Sequence, residues 1–199
     1  MDPVTGTLGG ILAAFGLSGA AGLNAWLPLL AVGLGDRAGW LDLGSPYDIL
    51  SSTPGMIVVG LLLVLDLIGD KIPALDSLLH VIGLVIAPAS GAVLFAAQTD
   101  LTSDLNPAVA AVLGAVTAGS LQAGRAAVRP FVTASTGGIG NPAVSAAEDG
   151  TSLLLTGLAF ALPILAFLLV LAALGFVLWL VLRARRWMRG RRANPPARG

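Results

Sequence analysis

The stretch from Gly55 to His80, GMIVVGLLLVLDLIGDKIPALDSLLH, decides the fold of this chain. It begins as unbroken apolar sequence and ends in charged residues on both sides of Pro73. These are Asp66, Asp70, Lys71 and Asp76. An ionised carboxylate at the centre of a bilayer costs about 2.5–3.5 kcal/mol on insertion scales, so it requires a partner or water. The stretch therefore predicts a transmembrane helix that carries a polar site at the membrane.

The composition is typical of a membrane protein. Of 199 residues, 56% are hydrophobic and 11% are charged, whereas soluble domains carry about 25% charged residues. The mean hydropathy is +0.89. Abundant glycine and few aromatics suit helices that pack through small residues, and the apolar–polar alternation of membrane strands is not found. The chain has no cysteine, which excludes disulfides, thiolate metal sites and a cysteine nucleophile.

Further apolar runs cover residues 8–35, 75–97, 105–124 and 151–182. The first is interrupted around Asn24, which indicates either a helix broken around a cavity or a tilted helix with a small packing face. Residues 131–150 are weakly apolar and rich in Gly, Ser and Thr, so they either cross as a broken segment or re-enter. We predict an all-α, polytopic transmembrane bundle of five to six crossings with broken helices.

The arginines predict an orientation in the plasma (inner) membrane. Seven of the eleven basic residues follow the last apolar run, which indicates a cytoplasmic tail over 183–199 after a transmembrane domain over 1–182. Nucleic-acid binding is the less favoured interpretation of this tail, and we expect none. With six crossings, both chain ends are cytoplasmic, Arg125 and Arg129 are inside, and Glu148 and Asp149 are outside. Halves over 1–98 and 99–182 would then form an inverted 3+3 repeat.

Three segments carry a resemblance: GLNAWLPLLAVGL at 22–34, GDKIPALDSLLH at 69–80 and STGGIGNPAVSAAEDG at 135–150. Together they resemble the LNA-x-LPLL, DKIP-x-x-D and GNP-x-x-S-x-x-ED motifs of a family of small bacterial integral-membrane proteins, catalogued as a domain of unknown function. An acid four residues before the DKIP aspartate is part of that pattern, and here it is Asp66. Many members carry an Arg-Pro pair where this chain has Ala87-Pro88. The resemblance implies motif positions but no activity.

Polar residues of these segments are candidates for an ion or solute site. They are Asn24, Asp66, Asp70, Lys71, Asp76, Asn141, Ser145, Glu148 and Asp149. Carboxylate and asparagine carbonyl oxygens suit Mg²⁺, Mn²⁺ or a proton, and Asp76 with His80 one turn later is a candidate metal pair. The structural alternatives are local pairing of Lys71 with Asp66 or Asp70, and capping of a helix by Asn141.

These features favour a small transporter or channel for an ion or a small polar solute. The alternatives are a lipid scramblase or carrier-lipid translocase, and a membrane scaffold that transports nothing. In the lipid-handling alternative, arginines contact lipid headgroups; the candidates are Arg125, Arg129, Arg183, Arg185 and Arg186. No common catalytic or phosphate-binding motif is present, so we expect neither an enzyme nor a cofactor. The spacing of small residues permits a homodimer.

Overall fold

The computed structural model describes residues 3–69, 72–98 and 105–193. Within these residues the chain is helical, with seven α-helices, a 3₁₀ turn at Tyr47–Leu50 and no strand. The helices are α1 (Pro3–Ala21), α2 (Trp26–Arg37), α3 (Thr53–Gly69), α4 (Pro73–Ala96), α5 (Pro107–Thr136), α6 (Asn141–Ala161) and α7 (Pro163–Ala193). The prediction of an all-α fold is confirmed.

Two of the described helices are long and apolar enough to span a membrane. They are Pro107–Thr136, which is α5, and Pro163–Arg183 within α7. Three apolar helical stretches are shorter: Leu8–Ala21, Thr53–Gly69 and Val81–Ala96. Helix length and composition therefore agree with the membrane character that the amino-acid content predicts.

Local sequence explains several helix ends. α4, α5 and α7 each begin at a proline, which loses no hydrogen bond at the first helical position and already has a helical φ. Asn106 caps α5, because its Oδ1 accepts from Ala108 N at 2.9 Å. Gly137 caps the C-terminal end of α5, and its φ of 61° lies in the left-handed region that glycine adopts without strain.

α1 is the central helix, and pairs of contacts along it give the directions of its neighbours. α7 runs parallel to α1, whereas α4 and α6 run antiparallel to it. The contacts are Gly16–Ala166 and Gly19–Val170 for α7, Gly16–Ala159 and Ala20–Ser152 for α6, and Phe15–Phe95 and Ser18–Gly91 for α4.

The remaining helices continue this alternation. α5 is antiparallel to α4, α2 is parallel to α6, and α3 is antiparallel to α2. The contacts are Gly83–Gln122 and Gly91–Gly114 for α4 with α5, Asn24–Asp149 and Gly35–Phe160 for α2 with α6, and Asn24–Asp66 and Arg37–Thr53 for α2 with α3. The seven described helices therefore alternate in direction along the chain.

Small residues allow the helices to pack closely. Ala14, Leu17 and Ala20 of α1 are completely buried. α4 and α5 touch at Gly91 and Gly114, where a Cβ on Gly114 would collide with the Gly91 carbonyl oxygen, so this crossing requires glycine. Large apolar side chains face outward instead. They include Leu61, Leu65, Val81, Val85, Val112, Val116, Leu154, Ile164, Leu168 and Trp179.

Three predicted crossings differ from the observed helices. Residues 8–35 form two antiparallel helices joined at 22–25, which confirms the break near Asn24 but not a single crossing. Residues 131–150 contain a reversal at 137–140, between α5 and α6. Residues 151–182 contain another reversal at Leu162, between α6 and α7. Glycine, asparagine or proline stands at each break, and these residues permit a reversal as readily as a kink.

The predicted orientation is wrong in two respects. Glu148 forms an ion pair with Arg125 at 2.6 Å, so these residues cannot lie on opposite faces of a membrane. Because α1 and α7 are parallel, the start of α1 and the end of α7 lie at opposite ends of the bundle, whereas the sequence predicts both chain ends on one side. An inverted 3+3 repeat has no support in this arrangement of the described helices.

Candidate functional site

The turn between α1 and α2 places Asn24 inside the bundle, where it is 2% exposed. Its Oδ1 accepts hydrogen bonds from the backbone N–H groups of Trp26 and Leu27, at 3.0 and 3.1 Å. The first N–H groups of a helix have no acceptor within that helix. The Asn24 carbonyl oxygen therefore secures the start of α2.

The amide nitrogen of Asn24 joins two carboxylates from distant segments. Nδ2 donates to Asp66 Oδ2 of α3 at 3.1 Å and to Asp149 Oδ1 of α6 at 2.8 Å. The orientation of the amide follows from its partners, since backbone N–H groups only donate and ionised carboxylates only accept. All four hydrogen-bonding positions of this side chain are used. Three of the residues that the sequence predicts for a polar site therefore meet.

Glu148, the neighbour of Asp149 on α6, binds two arginines of α5. Its Oε2 accepts from Arg125 Nη2 at 2.6 Å and from Arg129 Nη2 at 2.9 Å. The side chains are only 13%, 14% and 7% exposed, for Glu148, Arg125 and Arg129 respectively. Charges this deeply buried are stable only when they are paired, and Glu148 is the anion that both arginines share.

Arg125 also connects this ion cluster to the turn that carries Asn24. Its Nη1 donates to the Leu23 carbonyl oxygen and, at 3.2 Å, to Gln122 Oε1. The contacts close into a ring, because Glu148 binds Arg125 while the next residue of α6 binds Asn24. The α1–α2 turn is therefore held by α5 and α6 together.

A small cavity of about 50 Å³ lies beside Asn24, between the turn, α3, α4 and α5. Asp66, Gln122 and Arg125 complete its polar lining, and the other lining residues are mainly apolar. Sequence reasoning missed Gln122, which is 2% exposed. The available signal was a lone amide in a helix of small apolar residues, since a buried amide in such a helix requires polar partners.

Asn141 lies in the α5–α6 hairpin and does not cap α6 as predicted. Its Oδ1 accepts from Thr133 Oγ1 at 3.1 Å, and the capping position is Gly140, with no side-chain cap. Ser145 is buried one turn further along α6.

The predicted lipid-contacting arginines divide into two groups. Arg125 and Arg129 turn their guanidinium groups inward, toward Glu148. Arg183 is exposed and lies over the ring of Trp179, 5.2 Å from its centroid. Arg186 is also exposed.

Five of the predicted site residues lie wholly or partly outside the described part of the chain. Asp70 and Lys71 lie outside the described residues, and the side chains of Asp76, His80 and Arg185 lie outside the described side chains. In the part of the chain that the structure describes, no group of three or more metal-ligating side chains is found. The predicted role of Asp76 and His80 as a metal pair stays a prediction.

Comparison with curated proteins gave no match, and neither did comparison with solved structures. One family model matches residues 11–183, a range that includes Asn24, Asp66 and Asp149 as well as the arginine cluster. The match covers most of the chain and all the helices that build the site. The chain belongs to the DUF4126 family, a domain of unknown function.

Proposed function

We propose that this protein is a polytopic membrane protein that moves an ion or a small polar solute across a bacterial inner membrane. Helices α3 to α7 cross the bilayer, and α1 and α2 enter it together as a hairpin with Asn24 at its tip. The outward-facing apolar side chains support this arrangement, because soluble monomers rarely expose contiguous apolar patches above about a few hundred Å².

The distribution of charge supports one orientation. Arg125, Arg129 and the arginines after Leu182 belong to the end of the bundle where α5 and α7 finish. At the other end Arg37 is the one basic residue among those described, and the connection between α2 and α3 carries Asp42 and Asp48. By the positive-inside rule the arginine-rich end faces the cytoplasm, and the start of α1 then faces outward.

The depth of Asn24 supports a functional role for its partners. Gly19 packs on Val170, and Asn24 follows Gly19 by five residues, so Asn24 is level with about residue 175 of α7. At 1.5 Å per residue, this level is about 12 Å from Arg183 and about 18 Å from Pro163, the ends of the apolar part of α7. Ionisable groups at such a depth usually serve transport or proton relay.

The single observation that carries the proposal is the meeting of Asp66 and Asp149 at the Asn24 amide. A scaffold requires only apolar packing between its helices, and several kcal/mol are lost when each charge leaves water. Non-helical backbone at membrane depth, such as the turn that carries Asn24, is tolerated only where it is buried in protein or lines a cavity, and carboxylates at such a turn are typical of transport sites.

Flux into liposomes tests the proposal. The full chain is reconstituted in vesicles of phosphatidylcholine and phosphatidylglycerol and screened with tracer cations, anions and small polar solutes. Asp66→Asn keeps the shape of the side chain and removes its charge, so we expect it to lower the flux of the transported solute by at least about tenfold. Asp48→Asn, the same change at an exposed residue of the opposite end, is the matched control and should leave flux intact.

Two outcomes would contradict the proposal. Scrambling of a fluorescent lipid that depends on Arg183 and Arg186, without solute flux, would assign the protein to lipid handling. If the folded, reconstituted protein shows neither activity, the scaffold alternative would be favoured.

A further inference from the structure

Two amide side chains line the cavity, and their carbonyl oxygens are already used. Both N–H groups of Asn24 are used as well, by Asp66 and Asp149. Asn24 Oδ1 accepts from two backbone N–H groups of α2, at 3.0 and 3.1 Å. Gln122 Oε1 accepts from Arg125 Nη1 at 3.2 Å, and a guanidinium only donates. Both acceptor positions of the Asn24 carbonyl oxygen are therefore occupied, which disfavours it as a cation ligand.

A metal cation lacks the ligands that it requires in this cavity. Ca²⁺ takes about six to eight oxygen ligands, and Mg²⁺ takes about six in an octahedral arrangement. Among the described lining residues, Asp66 alone has an anionic oxygen, and Arg125 brings a positive charge to the same wall. A proton differs from a metal cation in this respect, because one lone pair of a carboxylate oxygen is enough to bind it.

Gln122 and the cavity have the geometry to hold water beside Asp66. Gln122 is 2% exposed, and in the described part of the chain its Nε2 has no hydrogen-bond acceptor. This nitrogen lies 2.7 Å from the point where a Cβ on Gly83 would stand, so the glycine leaves room for the amide. A volume of about 50 Å³ accommodates about three to five waters, at roughly 10–15 Å³ each.

We propose that the ion bound at this site is a proton, which cavity water delivers to the carboxylate of Asp66. This assignment rests on the transport function proposed above. One water accepts from Gln122 Nε2 and leads toward the carboxylate. When a hydronium ion enters, one of its O–H bonds breaks, an O–H bond forms on Asp66, and a neutral water remains. The reverse step releases the proton to water.

The described surroundings of Asp66 are compatible with this step. α4 contributes apolar lining or glycine to the cavity, at Leu79, Ile82, Gly83, Ile86 and Ala87. On α5, Arg125 opposes proton binding, but its charge is shared with Glu148 at 2.6 Å. On α6, Asp149 shares the Asn24 amide and favours proton binding. The side chains of Asp76 and His80 lie outside those described.

Proteoliposomes that contain a trapped pH-sensitive dye test the assignment. A proton gradient is applied to vesicles that hold the full chain, and parallel vesicles receive sodium, potassium or magnesium tracers. We expect proton entry without metal flux, and Asp66→Asn should reduce proton entry to the rate of protein-free vesicles. Gln122→Leu should slow it by about tenfold, the effect of losing one hydrogen bond. Asp48→Asn again serves as the matched control.

Gly83→Ala is a second, milder variant for the case that Gln122→Leu does not fold. Its methyl group would displace only the flexible end of Gln122, and it should also slow proton entry. Sodium, potassium or magnesium flux that requires Asp66, without proton entry, would overturn the proton assignment and leave the transport proposal intact. No flux of any ion or solute would overturn both. Proton entry that persists in Asp66→Asn, or that is unchanged in both Gln122→Leu and Gly83→Ala, would refute the proposed delivery of the proton by cavity water.

Discussion

Asn24→Asp is the single substitution that tests the polar site most directly. It keeps the shape of the side chain and the oxygen that accepts from Trp26 and Leu27, but it replaces the amide donor by a second oxygen. That oxygen would stand 2.8 Å from Asp149 Oδ1 and 3.1 Å from Asp66 Oδ2, at the present positions of the atoms. The change therefore turns two attractive contacts into repulsive ones without removing any volume.

Two responses compete in the variant, and their magnitudes decide between them. If the new carboxylate stays ionised, it repels Asp66 and Asp149. Each repulsion between unit charges at about 3 Å amounts to roughly 5 kcal/mol at an effective dielectric constant of about 20. The alternative is that the site binds one proton. For a carboxyl with the reference pKa of about 4, this costs about 4 kcal/mol at pH 7. Proton uptake is the smaller cost, so we expect Asn24→Asp to lower the free energy of unfolding by about 4 kcal/mol at pH 7.

The pH dependence follows from the extra proton. The folded variant binds one more proton than its unfolded chain, so its stability rises as pH falls, by about 1.4 kcal/mol per pH unit. At pH 5 the loss relative to the wild-type protein should have shrunk to roughly 1 kcal/mol.

Thermal unfolding in detergent, followed by tryptophan fluorescence, measures the effect. A loss of about 4 kcal/mol corresponds to a fall in Tm of roughly 8–16 °C for a chain of this size. Asn106→Asp is the control, because Asn106 caps α5 at an exposed position where aspartate caps equally well, so its effect should stay within about 0.5 kcal/mol. A loss that is equal at pH 5 and pH 7, or below about 1 kcal/mol at pH 7, would refute the contact between Asn24 and the carboxylates.

Three further predictions concern the helices around the site. Glu148→Gln removes the anion that Arg125 and Arg129 share, so thermal unfolding should show a loss of about 3–5 kcal/mol; an unchanged Tm would show that the cluster is solvated. Gly114→Ala should lower the free energy of unfolding by about 1–3 kcal/mol, because the added carbon collides with α4. In the control Gly175→Ala the added carbon meets no atom within 4 Å, so the free energy of unfolding should rise by up to about 1 kcal/mol. In this cysteine-free chain, single cysteines at Ile139 and Asp48 should react with an impermeant maleimide from opposite sides of the membrane; labelling from one side would contradict the alternating helix directions.

The helical class could be predicted from the sequence because it depends on local composition. Long apolar runs without alternation indicate helices, and the prolines that begin α4, α5 and α7 are visible in the sequence. Helix direction could not be predicted in the same way. A kink and a reversal have the same local signal, as at Pro163, and only distant contacts such as Gly16 with Ala159 and Ala166 distinguish them.

The candidate site was predictable as a set of residues but not as an arrangement. Asn24, Asp66 and Asp149 are recognisable because polar groups in apolar segments require partners. Which end of the Asn24 amide meets the carboxylates depends on the neighbours, however. The first N–H groups of α2 donate to the amide oxygen, so the amide nitrogen donates to the carboxylates. This detail reverses the chemistry that the sequence suggests, from a ligand for cations to a donor for carboxylates.

The acidic dipeptide Glu148-Asp149 shows how neighbouring residues acquire different roles. Successive side chains on a helix point about 100° apart, so the pair cannot serve one partner. Glu148 faces two arginines, whereas the described contacts give Asp149 only the neutral amide of Asn24. A carboxylate paired with arginines stabilises the fold, whereas one held by a neutral donor has no counter-ion among its described contacts. The arginines therefore fix the position of the turn, while Asp149 shares the Asn24 amide with Asp66, the carboxylate that binds the proton in the proposal above.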